Sequence, residues 1–359
     1  MSVNLISAEE STLHDILRVL LIAQVILGHI VALCIPTFSA LIHAPEHHLP
    51  EIFLRFTTRF GAQSAYLFVF LSGYMIAGHL IESILNNRPL SVSDFLLNRL
   101  AKLYPGVLIG LAVTLLADTV GIYALGKYEA YSDVIGTAAI NNYSLKNFVG
   151  SLLFFQPTVV APFGSNAPLW TLGYIFQYYM AGFTIAKIAG RNGWFALLFS
   201  ILLLALVAVV RPEWSILFAV WVAGGLARTT GIERRGPVFL LCIGGFAFIA
   251  SNLMPPLVSA AMCAVIGAPI VFGLRELRAN WITRHASVIR RLSNKTFLAY
   301  VVHFPIVVLC STIVSNSLAP IYAFAVTTAL CLIFIEILSR VIPFTRRKKI
   351  AGLGDSKNA

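Results

Sequence analysis

Charge is scarce in this chain: 11% of its 359 residues are Asp, Glu, Lys or Arg, against 58% hydrophobic, and mean hydropathy is +0.84. Soluble domains run at about 25% charged and about 45–50% apolar, so an ordinary cytosolic enzyme and a disordered chain are both excluded. Long polar blocks are missing as well. Apolar runs recur from Ile16 to Leu338 without one, which makes 1–359 a single membrane-embedded domain. Acidic residues number 15 and basic ones 26, a net charge of +11. The cations are scattered over loops and form no patch with interleaved aromatics, so nucleic acid is not a partner, and the excess reads as cytoplasmic loops. The five cysteines (Cys34, Cys242, Cys263, Cys310 and Cys331) lack C-x-x-C spacing, so neither a disulfide framework nor a metal site is indicated. An internal repeat and a G-x-S-x-G elbow are also lacking.

What is present is helical length. A helix needs about 20 mostly apolar residues to cross a bilayer, and ten runs come near that. They are Ile16–Ile35, Phe60–Ile81, Leu103–Tyr123, Leu169–Ile188, Trp194–Val210, Trp214–Leu226, Pro237–Leu253, Leu257–Leu274, Phe297–Val314 and Ala319–Leu338. The expected fold is all-α, a polytopic membrane protein with about ten transmembrane helices. The fifth and sixth runs, parted by Arg211-Pro212-Glu213, read as a tight hairpin. Phe148–Val160 is too short to span and reads as an interfacial or re-entrant segment. Alternating loops carry 20 Lys and Arg on the side of the termini and 5 on the other, which predicts both termini in the cytoplasm of a multi-pass inner-membrane protein.

Ionisable residues within the bilayer are costly and mark function by default. Arg18 and His29 are eleven positions apart, so one helix carries both on one face, about 16 Å apart along its axis. Asp15 shares that stripe and is placed to pair with Arg18. A neutral imidazole serves as general base on a hydroxyl, the task of acyl transfer to an alcohol. On spacing alone, His29 reads equally as a hydrogen-bonded core histidine, and Arg18 as a snorkelling anchor. In the second run Ser72 and His79 share a face, with Glu82 a further three along; Ser72-Gly73 reads equally as a small-residue helix contact. Arg99 and Lys102, at i and i+3, are spaced to clamp a phosphate-bearing cofactor or to anchor the cytoplasmic side.

Taken together and in order, these segments resemble the transmembrane acyltransferase-3 family. The pieces are Leu17-Arg18 with His29, the run around Leu71-Ser72-Gly73-Tyr74, Arg99-x-x-Lys102-Leu103-Tyr104-Pro105, Leu169-Trp170-Thr171-Leu172 with Tyr178-Tyr179, and Tyr300-Val301-Val302-His303-Phe304-Pro305. The resemblance implies transfer of an acyl group, commonly acetyl from acetyl-CoA or another acyl-CoA, to a hydroxyl of an envelope or exported glycan or its lipid-linked precursor. It implies His29 as catalytic base, Arg18, Arg99 and Lys102 at the cofactor, and Ser72, Tyr104, Trp170 and His303 in support. The sequence departs from the family at three points: Lys102 stands for a second arginine, Ile175 for a glutamate with Gln177 two along, and Val341-Ile342 precede Pro343 where a glutamate is usual. Only Ile342–Ala359 follows the last run, so no appended soluble domain is expected. The competing class is a polytopic carrier of a lipid-linked sugar or acyl donor, with His29 and Arg18 lining its path.

Overall fold

The computed structural model describes residues 8–44, 48–136, 141–188, 198, 211–229, 237–276, 280–314 and 317–342, and these are helical with no strand. In chain order the helices are α1 (Ala8–Cys34), α2 (Phe38–Ile42), α3 (Leu49–Thr58), α4 (Gly61–Leu85), α5 (Val92–Asp118), α6 (Tyr128–Ile135) and α7 (Leu145–Leu152). They continue with α8 (170–188), α9 (Pro212–Thr229), α10 (Pro237–Ser251), α11 (Pro256–Glu276), α12 (Asn280–Val314) and α13 (Pro320–Val341). Proline opens α9, α10, α11 and α13, a position where its missing N–H costs no intrahelical bond. Ser91 and Ser144 cap α5 and α7 by accepting from the Asp94 and Asn147 amides.

Among the described residues, six helical stretches are long and apolar enough to cross a membrane, and together they define a multi-pass membrane protein. They coincide with the first, second, third, eighth, ninth and tenth predicted runs. The other four differ for separate reasons. α8 and α9 form, but Gln177, six tyrosines or tryptophans and Arg228 dilute their hydropathy, and both are packed into a protein core. α10 is apolar but short. Trp194–Val210, and with it the predicted hairpin, lies outside the described residues. Phe148–Val160 is not a span: α7 is eight residues long, buries Asn147, Gly150 and Ser151, and turns its apolar side outward.

Between helices in a bilayer the hydrophobic effect supplies little drive, so close packing must hold them together. The α4–α9 pair shows how. A Cβ on Gly73 would fall 1.8 Å from the Trp221 carbonyl oxygen, and one on Gly224 would fall 2.1 Å from that of Phe70. Only glycine allows these backbones to touch. α12 is the central helix, 72% buried over its span against 22% for α13, and it packs between α1 and α5. α1 and α12 run parallel: Asp15 meets Ser293 at one end, and His29 meets His303 further along.

Candidate functional site

His29 lines a cavity of about 650 Å³ between α1, α3, α4 and the start of α8. Trp170, Thr171 and Tyr300 form the rest of its inner wall, and Arg55 and Arg59 of α3 stand at its rim. α3 sits this close because residue 28 is glycine: a Cβ there would lie 3.0 Å from the Thr58 carbonyl oxygen. Arg55 donates to the carbonyls of Ile35 and Pro36 and so caps the C-terminal end of α1. Arg59 donates to Asn252, whose amide returns a bond to the Arg59 carbonyl at 3.1 Å. Both cations are therefore held in place by the fold.

Behind His29 lies His303, fully buried, with ring centroids 5.5 Å apart, and Phe304 meets the His29 ring edge-on at 4.8 Å. The His303 Nδ1 is 2.7 Å from the Tyr300 carbonyl oxygen. A carbonyl only accepts, so Nδ1 carries the proton, and Nε2 is a buried lone pair without a hydrogen-bond partner.

Proline shapes this part of α12. Pro305 has no N–H to offer the carbonyl four residues back, that of Val301. Asn166 supplies the missing donor, 2.9 Å from that oxygen, and also donates to Thr114 of α5 at 3.0 Å. Next to it, Ser165 gives its amide and hydroxyl to the two oxygens of Asp118, at 2.8 and 2.7 Å. Gly164, at φ +56°, turns the chain against the same carboxylate. The Tyr300 hydroxyl donates to the Pro168 carbonyl at 2.5 Å and also bonds Thr171. The segment leading into Trp170 is thus fastened to α5 and α12 by side-chain bonds, so the cavity wall is rigid.

A second polar cluster lies toward the other end of α1. Arg18 pairs with Asp15 at 3.4 Å, as their spacing suggests, and Asp15 also accepts from Ser293 at 2.7 Å. Arg99 of α5 lies over the rings of Phe95 and Tyr179, 5.7 and 5.9 Å from their centroids. Its Nε is buried without a hydrogen-bond partner. Tyr179 bonds Ser72 at 3.1 Å and is within electrostatic reach of both Arg18 and Arg99. Glu82 is paired bidentately with Arg228, at 2.8 and 3.1 Å, and not with His79. An arginine fork satisfies both carboxylate oxygens, which imidazole cannot do.

The predicted residues therefore divide into two groups. His29, His303 and Trp170 come together at the cavity, and Arg18, Arg99 and Ser72 come together around Tyr179. Lys102 lies on the exposed side of α5, and Tyr104 packs edge-on to Phe154 at 5.5 Å. Ile175, where a glutamate is usual, is buried in the apolar core. Gln177 instead ties the chain between α7 and α8 to α9, donating to the Phe154 carbonyl and Thr158 and accepting from Trp214 at 2.9 Å. Sequence reasoning quoted Tyr179 and Tyr300 within the family segments without giving them a role, and it missed Asp118. Asp118 was detectable: it is a carboxylate inside a predicted span, the same signal that singled out Arg18 and His29.

The class is that of a multi-pass, helical membrane protein with a histidine at an aromatic-lined cavity and no group of three metal-ligating side chains among the described residues. The chain belongs to the acyltransferase-3 family: the family's model, an acyltransferase domain, matches residues 14–340, and the protein is a membrane acyltransferase. No curated protein and no solved structure matches it.

Proposed function

We propose that this acyltransferase moves an acyl group, acetyl foremost, from acyl-CoA to a hydroxyl of an envelope or exported polysaccharide or its lipid-linked precursor, with His29 as general base. The observation that carries the reading is the position of His29, on the wall of the aromatic-lined cavity and on the same helix face as Arg18. In this scheme the acceptor hydroxyl enters beside Trp170, whose flat ring suits a sugar face. His29 takes the hydroxyl proton as the oxygen attacks the thioester carbonyl. The C–S bond breaks, and the thiolate leaving group recovers that proton. His303, neutral and fixed by Tyr300, orients the His29 ring.

Arg18, Arg99 and Lys102 are assigned to the CoA phosphates, which bind charge-assisted donors strongly. Lys102 provides charge without the planar fork of arginine. The loop charge bias supports an inner-membrane setting with both termini and this cluster cytoplasmic, and the cavity on the far side. The missing glutamate at Ile175 is no obstacle here, because the scheme needs one base and no carboxylate. Comparing glycan mass with and without the gene product tests the proposal. A gain of one acetyl group per modified sugar is the expected result. Unchanged glycan, with a lipid-linked sugar transported instead, would favour the carrier.

A further inference from the structure

Away from both clusters, a groove of about 810 Å³ runs along the outside of the bundle between α1, α12 and α13. Its floor is Ile22, Ile26 and Ile30 of α1 with Ala299 of α12, and its lip is Leu332 and Ile333 of α13, more than half exposed. At one end the lining turns ionic: Lys295 and Arg340 both bond Glu336, Arg340 at 2.9 Å. From Val19 to Ile30 the floor covers eleven residues of rise, about 16 Å, which is close to half of a hydrocarbon core about 30 Å thick.

We infer that this groove is a binding site for an anionic phospholipid, with one leaflet's acyl chain on the isoleucine floor and the phosphate at Lys295 and Arg340. Two cations facing one carboxylate leave a net positive charge at that end. In sequence, Arg346, Arg347, Lys348 and Lys349 follow Arg340 closely, and basic clusters flanking a membrane helix attract anionic headgroups. A neutral lipid has no use for this excess, and a soluble anion has none for the apolar floor. Since the floor is the face of α1 adjoining the one that carries His29 and Arg18, the lipid would brace that helix from outside. The inference does not depend on the acyl donor or acceptor.

The test is native mass spectrometry of the full chain released from bilayers of equal phosphatidylglycerol and phosphatidylcholine. Wild type should retain one phosphatidylglycerol, enriched about tenfold over phosphatidylcholine, a preference of ~1.4 kcal/mol. Thr328→Phe, which fills the groove, should release it. The Lys295→Gln/Arg340→Gln variant leaves the apolar wall intact, so it remains informative if the filled variant misfolds. It should still retain lipid but at the bilayer ratio, and Glu336→Gln should strengthen the preference for phosphatidylglycerol. Retention of both lipids at the bilayer ratio by wild type, or undiminished preference in the double variant, would overturn the site.

Discussion

At one end of α1, His29 faces a cavity walled by Trp170, Thr171 and Tyr300 and backed by buried His303; eleven residues away, Arg18 shares its surroundings with Arg99, Tyr179 and Ser72. The first region sets two histidines against aromatic rings, with Arg55 and Arg59 at its rim tied to the fold, and is suited to handling a proton. The second is cationic and suited to holding phosphate. A single helix keeps them about 16 Å apart. Position along α1 therefore predicts the kind of defect each substitution causes, in chemistry at one end and in donor binding at the other.

The sharpest break in this contrast is His29→Ala. Loss of a general base should lower kcat by about 10²–10⁴-fold with KM for acyl-CoA unchanged, measured by steady-state transfer in reconstituted vesicles. His303 should give a smaller and selective effect. His303→Gln keeps a polar side chain that can bond the Tyr300 carbonyl and should stay within about threefold of wild type, whereas His303→Leu removes the imidazole that packs against His29 and should lose about tenfold in kcat, ~1.4 kcal/mol. Equal and complete loss in both, with normal folding, would make His303 a second acid–base residue.

At the other end, Arg18→Gln and Arg99→Gln should each raise KM for acyl-CoA by about tenfold and leave kcat near wild type, since charge-assisted phosphate bonds act on binding. A kcat defect there would erase the division between the two regions. Smallest of all is Lys102→Arg, which restores a planar fork at an exposed site and should change KM by about twofold or less, in the favourable direction. Orientation is checked separately: a single cysteine near Lys127 should label from outside and one near Arg284 from inside.

Much of this was legible in local sequence. Helical phase alone set Arg18 and His29 on one face, and i, i+3 spacing paired Asp15 with Arg18. What the sequence did not disclose depends on partners brought from far along the chain. The contact of His29 with His303 comes from α12, the partner of Glu82 comes from α9, and the bond that replaces the one lost at Pro305 comes from Asn166. Hydropathy also blurs where helices are sheltered by protein. α8 and α9 carry tyrosine, tryptophan and glutamine inside a protein core, where Trp214 bonds Gln177 and the Tyr178 hydroxyl bonds the Trp214 carbonyl.

Donor affinity measured without turnover tests the division of labour most directly. In isothermal titration of acetyl-CoA into the reconstituted protein, His29→Ala should bind like wild type and Arg18→Gln about tenfold more weakly, a loss of ~1.4 kcal/mol. Weakened binding in His29→Ala with full affinity in Arg18→Gln would contradict the account, because the two ends of α1 would then have the opposite roles.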